Sequence, residues 1–150
     1  MTDVDRVSKM VREVLVNQNL AVLATHSSGQ PYANLVAFLA TKNLKEIVFA
    51  TRCTTRKYMN IIKDARVALV IDTRLNEKTD FHKAMAVTLT GKAQEVGGEE
   101  REKLAGLYLE KFPHLIEFVS SSQCGIFKVA VTKYTVVSEF QNVVELEVIK

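Results

Sequence analysis

The spacing of apolar positions changes from helical to extended early in the chain. The first apolar positions recur every three or four residues, which places them on one face of an amphipathic helix that ends near 17–19. These positions are Val4, Val7, Val11, Val14 and Leu15. From Leu20 the period becomes two, and this predicts strands over 20–25, 31–40 and 47–51. Because short turns join these strands, we expect an antiparallel meander.

The rest of the chain continues with mostly extended patterns. Residues 98–112 have an acidic first turn and apolar helical spacing, which predicts a second long helix ending near Pro113. Alternating or β-branched segments predict further strands at 66–71, 84–94, 125–137 and 143–149. Six or more short strands with few helices favour a mainly β protein, a closed or nearly closed antiparallel barrel. With no linker, repeat or low-complexity tract, residues 1–150 are predicted to form a single domain.

Hydroxyls and cations are concentrated where the third strand meets the next helix. Residues 51–57 read Thr-Arg-Cys-Thr-Thr-Arg-Lys, and Thr54 or Thr55 is predicted to be the N-cap. The free amides and the dipole at such a helix end attract an anion. Arg56 and Lys57 would each oppose that dipole by about 0.3 to 1 kcal/mol, so a bound anion accounts for them. The pattern therefore predicts a phosphate site, with a solvated turn and an ordinary threonine cap as the alternative.

Composition and charge narrow the class of protein. The 150 residues are 47% hydrophobic and 25% charged, which is typical of a globular domain with a substantial core. The net charge of +3 is spread along the chain and suits an anionic small ligand no less than nucleic acid. A nucleic-acid-binding barrel would interleave aromatic and basic residues on one face, and these strands do not. No membrane helix or secretory signal is evident, so we expect a cytoplasmic protein with reduced Cys53 and Cys124 and no membrane partner.

Metal and acid–base chemistry have weaker support in the sequence. His26, His82 and His114 lack metal-ligand spacing, so no metal site is predicted and solvated histidines are expected. Residues 80–83, Asp-Phe-His-Lys, lie just before a strand in a predicted loop, where they could supply an acid or a base. The catalytic residues remain unassigned from these patterns.

Five short segments in a fixed order resemble a known family. They are the Pro-Tyr strand opening at 31–32, the strand end at Thr51, the Thr-Arg-Lys helix opening at 55–57, the Asp-Ala-Arg-Val strand start at 64–67 and the Thr-Gly-Lys-Ala-Gln run at 90–94. In this order and spacing they resemble the pyridoxamine 5'-phosphate oxidase-like family of FMN-binding split barrels. The resemblance covers roughly residues 10–97 and implies a six-stranded antiparallel split β-barrel with flanking helices and FMN as cofactor.

The same resemblance implies roles for individual residues. Arg56 and Lys57 would hold the FMN phosphate, with Thr55 capping the helix beside them. The flavin would be lined by the main chain of Asn34, Leu35, Val36 and Ala37 and by the strand end at Ala50 and Thr51. The family places flavin between two subunits, which implies a homodimer in which Ala86 reaches the cofactor of the other chain.

Departures from the family pattern bear on the reaction. The phosphate-binding Arg and substrate-binding Lys of the true pyridoxamine-phosphate oxidases correspond here to Asn34 and Leu39, and their C-terminal Trp and Arg have no counterpart in 139–150. Vitamin B6 oxidation is therefore not expected. The interpretation is an FMN-dependent oxidoreductase acting on an unidentified small molecule, with NADH or NADPH as a candidate reductant. The alternative is a non-catalytic flavin, deazaflavin or haem binding protein of the same fold.

Overall fold

The first helix shows how local sequence determines an element. In the computed structural model, which describes residues 2–149, helix α1 spans Asp3–Asn17. A capping box starts it, because Thr2 Oγ1 accepts from the Asp5 amide at 3.0 Å and the Asp5 carboxylate accepts from the Thr2 amide at 3.2 Å. The apolar face predicted from the sequence is buried at Val7, Val11, Val14 and Leu15, whereas Val4, in the first turn, is 62% exposed.

Among residues 2–149, seven strands and four further helices follow α1. The strands are β1 (Leu20–Ser27), β2 (Gln30–Ala40), β3 (Glu46–Arg52), β4 (Arg66–Asp72), β5 (Met85–Val96), β6 (Cys124–Ser138) and β7 (Asn142–Glu147). The helices are α2 (Arg56–Lys63), α3 (Asp80–Lys83), α4 (Gly98–Lys111) and α5 (Ile116–Ser120), with a 3-10 turn at Pro113–Leu115 before α5. The meander of β1, β2 and β3 is antiparallel, as the short turns predicted.

Six of the strands close into an antiparallel barrel. The strand order is β3-β2-β1-β4-β5-β6-β7, and an additional pairing of β3 with β6 closes the ring and leaves β7 outside it. The first half of β6 pairs with β3, and its second half pairs with β7. The predicted mainly β fold, a six-stranded antiparallel barrel with flanking helices, is confirmed. Two strands are long rather than short, since β5 has 12 residues and β6 has 15.

Two apolar clusters stabilise this arrangement. The first fills the barrel, where Phe49 and Phe127 stack with their ring centroids 5.3 Å apart. The second lies on the outer face of β3 and β6, where Leu104 and Tyr108 of α4 belong to the same buried cluster as Ala50. Burial of apolar surface on both faces of β3 therefore fixes α4 beside the strand end that the sequence singled out.

The segments after β4 and after α4 differ from the sequence prediction. Residues 80–83 form the short helix α3 rather than a loop, and α5 with its preceding 3-10 turn was not predicted. Both are too short to show a clear apolar period, so their sequence signal is weak. None of the helices among residues 2–149 is long and apolar enough to span a membrane.

Candidate cofactor site

An open cleft of about 370 Å³ lies on the outside of the barrel between β2, β3, the start of α2 and α4–α5. This volume falls in the range of small-molecule sites. It is lined by Leu35, Val36, Ala37, Ala50, Thr51, Arg52, Thr55, Lys57, Tyr108, Leu115 and Phe118. A larger cavity of about 650 Å³ lies between α1, β2 and α4, but it contains none of the predicted phosphate-binding residues.

The cleft exists because β2 and β3 separate. They pair only through Phe38–Phe49, Leu39–Val48 and Ala40–Ile47, whereas the earlier part of β2 pairs with β1 alone. Leu35, which is 60% exposed, lies on the outer face of that earlier part, and Ala37 follows two residues later on the same face. One wall of the cleft is therefore an apolar strand whose edge facing β3 has no strand partner there.

A hydroxyl-rich loop forms the opposite end of the cleft. Of the two predicted candidates, Thr55 is the N-cap of α2, and its Oγ1 accepts from the Tyr58 amide at 3.3 Å. Thr51 is 1% exposed, and its Oγ1 lies 2.9 Å from Thr55 Oγ1. Thr55 Oγ1 is also 2.9 Å from the carbonyl oxygen of Arg52. These contacts hold the strand end and the helix start in one compact turn.

The two predicted cations occupy different positions. Lys57 lines the cleft and is half-buried, and burial lowers the pKa of its ammonium group. Within residues 2–149, no carboxylate forms an ion pair with Lys57. Arg56 is exposed, does not line the cleft, and places its guanidinium carbon 5.3 Å from the ring centroid of Tyr32. Of the two predicted cations, Lys57 therefore faces the cleft, where Arg52 is a further charged lining residue, and Arg56 stands outside it.

The residues expected beside the flavin fall into two groups. Leu35, Ala37 and Ala50 line the cleft, together with Val36, whose side chain is buried in the barrel core. Asn34 does not line it, and its Oδ1 is buried without a hydrogen-bond partner among the described residues. A buried amide oxygen left unpaired costs about 1 to 3 kcal/mol, and the alternation along β2 puts Asn34 on the same face as Val36, opposite the face of Leu35 and Ala37.

Ala86 and the predicted acid–base segment lie elsewhere. Ala86 pairs with Asp72 and Val137 and lines a separate cavity of about 260 Å³. Asp80 lines the same cavity, but its carboxylate accepts from three amides of the loop 75–77, and the Leu75 amide above all lowers its pKa. His82 is exposed and does not line it. The structure therefore does not bring this segment to the cleft of its own chain.

Sequence reasoning missed the α4 and α5 side of the cleft. Tyr108 had only the signal of a core aromatic residue, whereas its Oη donates to the carbonyl of Ala37 at 3.0 Å. Burial raises the pKa of Tyr108 to about 12, so the hydroxyl keeps its proton at neutral pH. Leu115 and Phe118 belong to the unpredicted turn and helix after α4. No local pattern identifies these residues, because their place depends on how α4 packs on the barrel.

Solved structures with the same architecture bind different cofactors. A heme binding protein from Mycobacterium smegmatis matches 91% of this chain with a TM-score of 0.80 and 18% identity, and the chain spans 55% of that protein's length. A heme storage protein from Vibrio cholerae matches 82% of this chain, which covers 88% of it, with a TM-score of 0.72 and 16% identity. A FAD-binding protein from Mesorhizobium loti matches 86% of this chain, which covers 92% of it, with a TM-score of 0.68 and 13% identity. At these identities the likeness concerns the fold.

Sequence comparison provides the family. A search of curated protein sequences found no match. The family model described as pyridoxamine 5'-phosphate oxidase matches residues 7–137. This range includes strands β1 to β5, all of β6 except its last residue, and the residues that line the cleft. The chain therefore belongs to the pyridoxamine 5'-phosphate oxidase family.

Proposed function

We propose that this protein binds FMN in the cleft and uses it as an oxidoreductase acting on a small molecule. One observation carries the proposal: Lys57 is half-buried at the start of α2, faces the cleft, and has no carboxylate partner within residues 2–149. A desolvated cation at a helix N-terminus is unfavourable in the free protein. A phosphate dianion would offset both the lost hydration and the unfavourable dipole.

The other residues of this turn fit a phosphate as well. The amides of Arg56 and Lys57 are in the first turn of α2, where helix geometry provides no carbonyl acceptor. Thr55 keeps that turn in place through its cap. Arg56 would add a second cation by leaving its position over Tyr32. Together these groups provide the amides and charges that a terminal phosphate requires.

The flavin ring would occupy the apolar part of the cleft. Ala50 and Thr51 would face it from β3, and the main chain from Asn34 to Ala37 would run along its edge. FMN is favoured over FAD and riboflavin, because Lys57 lies at the end of the cleft where the terminal phosphate of FMN would bind.

A homodimer belongs to this proposal. The cleft of one chain is open to solvent, and Ala86 lies in a different cavity of the same chain. If Ala86 contacts flavin, it must therefore contact the flavin of a second copy. Two equivalent sites related by two-fold symmetry would then form between the chains.

Bound FMN would supply the hydride or electron transfer, and the chain would supply position and electrostatics. No histidine is among the described residues that line the cleft, so the lining itself offers no neutral-pH general base. NADH or NADPH is the candidate reductant. Vitamin B6 oxidation is not proposed, because Asn34 and Leu39 replace the basic residues of the true oxidases.

A non-catalytic carrier is the second candidate, with flavin, deazaflavin or haem as its ligand. It is favoured by two structural neighbours, a heme binding protein and a heme storage protein. In the part of the chain that the structure describes, the cleft lining contains no histidine, cysteine or methionine to ligate iron, and its one tyrosine, Tyr108, donates to Ala37 O. This lining favours the phosphate-bearing flavin over haem.

The test is a titration of the purified protein with FMN, riboflavin and FAD, followed by flavin fluorescence, with haem titrated separately by absorbance. We expect FMN to bind orders of magnitude more tightly than riboflavin, since several charge-assisted bonds of about 1.5 to 3 kcal/mol each depend on the phosphate. Equal affinity for FMN and riboflavin would contradict the proposal. Anaerobic reduction of bound FMN by NADH or NADPH would then separate an enzyme from a carrier.

A further inference from the structure

The ladder between β2 and β3 stops although both strands continue. Its last pair on the cleft side is Phe38 with Phe49, whereas β2 begins at Gln30 and β3 extends to Arg52. Two strands that continue past the end of their ladder diverge, and the cleft lies at this divergence. The group that ends the ladder therefore determines where the cleft begins.

The register identifies the pair that is missing. In an antiparallel ladder, pairs that exchange backbone hydrogen bonds alternate with pairs that do not. The Thr41 amide donates to the Glu46 carbonyl at 2.9 Å. Counting from this pair in steps of two, Ala37 and Ala50 lie opposite each other as a pair of the hydrogen-bonded kind. Within residues 2–149, however, Ala37 and Ala50 do not pair with each other.

The Tyr108 hydroxyl of α4 lies between β2 and β3 where Ala37 and Ala50 would otherwise pair. Its Oη donates to the Ala37 carbonyl at 3.0 Å, so the acceptor that Ala50 would use is already satisfied. The side chain is 1% exposed, and its ring lies 5.1 Å from that of Phe112, which leaves the hydroxyl little freedom to move. The backbone amide of Ala50 also faces this hydroxyl as a hydrogen-bond donor, and its effect partly offsets the rise in the pKa of Tyr108 that burial causes. Tyr108 thus contacts both strands at the point where they separate.

We propose that the Tyr108 hydroxyl ends the β2–β3 ladder at Ala37 and thereby keeps the cofactor cleft open. Without it, the unpaired Ala37 carbonyl would be satisfied by the Ala50 amide, because a buried carbonyl seeks the nearest donor. The two strands would then pair one step further and narrow the cleft between Leu35 and Arg52. Tyr108 is a positioning residue in this proposal. Its effect on FMN rests on the proposed function, whereas its effect on the ladder does not.

The test compares Tyr108→Phe with Tyr134→Phe. Tyr134 is a matched control, since it is also fully buried and its Oη donates to a backbone carbonyl, that of Leu44 at 2.6 Å, but it lies in the barrel core away from the cleft. Amide hydrogen exchange of Ala37 and Ala50 is measured by NMR without flavin. We expect the Ala37 amide to exchange at least about tenfold more slowly in Tyr108→Phe, because it gains the Ala50 carbonyl as a cross-strand acceptor, whereas the Ala50 amide only replaces the Tyr108 hydroxyl by the Ala37 carbonyl. Tyr134→Phe should leave both rates within about twofold of the wild type.

The second measurement is the affinity for FMN. We expect the FMN dissociation constant to rise by at least about tenfold in Tyr108→Phe and to stay within about twofold in Tyr134→Phe. A wild-type exchange rate for Ala37 in Tyr108→Phe would overturn the proposal for the ladder, and unchanged FMN affinity would overturn it for the cleft. A wild-type protein that binds no FMN would refute the proposed function, while the exchange rates would still judge this inference. If Tyr108→Phe does not fold, Tyr108→Met carries the same expectation.

Discussion

Replacing Lys57 by alanine tests the phosphate site most directly. The ammonium group is half-buried, faces the cleft and has no carboxylate partner within residues 2–149. One charge-assisted bond to a phosphate contributes about 1.5 to 3 kcal/mol, so Lys57→Ala should weaken FMN binding by about 10- to 150-fold. Riboflavin has no phosphate, and its affinity should therefore stay nearly unchanged. In the unliganded protein, losing a cation from a helix N-terminus should relieve about 0.3 to 1 kcal/mol.

The assay is a fluorescence titration of both ligands, with thermal unfolding measured without flavin. Lys63→Ala is the matched control, because Lys63 is exposed in the last turn of the same helix. It should leave FMN affinity unchanged. Arg56→Ala should also weaken FMN binding strongly, and it additionally loses the stacking on Tyr32. If Lys57→Ala weakened FMN and riboflavin equally, or lowered unliganded stability while keeping FMN affinity, Lys57 would be structural and the phosphate assignment wrong.

Three further predictions concern pH, packing and assembly. Burial lowers the pKa of Lys111 to about 8 in the native state. Between pH 8 and 10.5 the unfolded chain therefore keeps a proton on this side chain that the native state has lost. The free energy of unfolding should therefore rise with pH over 8 to 9.5, by at most about 1.4 kcal/mol per pH unit. Denaturation measured at a series of pH values should show this rise in the wild type and not in Lys111→Met. Gly91→Ala should lower the melting temperature by several degrees, since its Cβ would collide with the backbone oxygen of Ala130. Gly106→Ala is its control and should not lower the melting temperature, because Gly106 is exposed inside α4 and nothing lies within 4 Å of an added Cβ. Light scattering should find a homodimer that binds two FMN and resists dilution better with FMN, and a monomer with FMN fully bound at micromolar concentration would rule this out.

Elements with a local signal were predictable from the sequence. The apolar period identified the buried face of α1 over 7–15, because burial on one face requires that spacing, although it also included the exposed Val4. Thr55 was one of two candidates for the cap of α2, since only a short polar side chain can accept from the first-turn amides. The strands of the meander were predicted to within two residues, because alternation and turn residues act over short distances. The family resemblance then supplied the barrel, which the structure confirms, and a set of candidate cofactor residues.

Long-range contacts were decided only by the tertiary structure. Nothing within β6 indicates that its first half pairs with β3 and its second half with β7. The sequence placed Arg56 and Lys57 side by side, but packing directs Lys57 into the cleft and Arg56 over Tyr32. Tyr108 lies 71 residues from Ala37 in the chain, and only the docking of α4 on the barrel brings its hydroxyl to that carbonyl. Local pattern determines which face of an element is buried, whereas the remote partner of that face depends on closing long loops around a shared core.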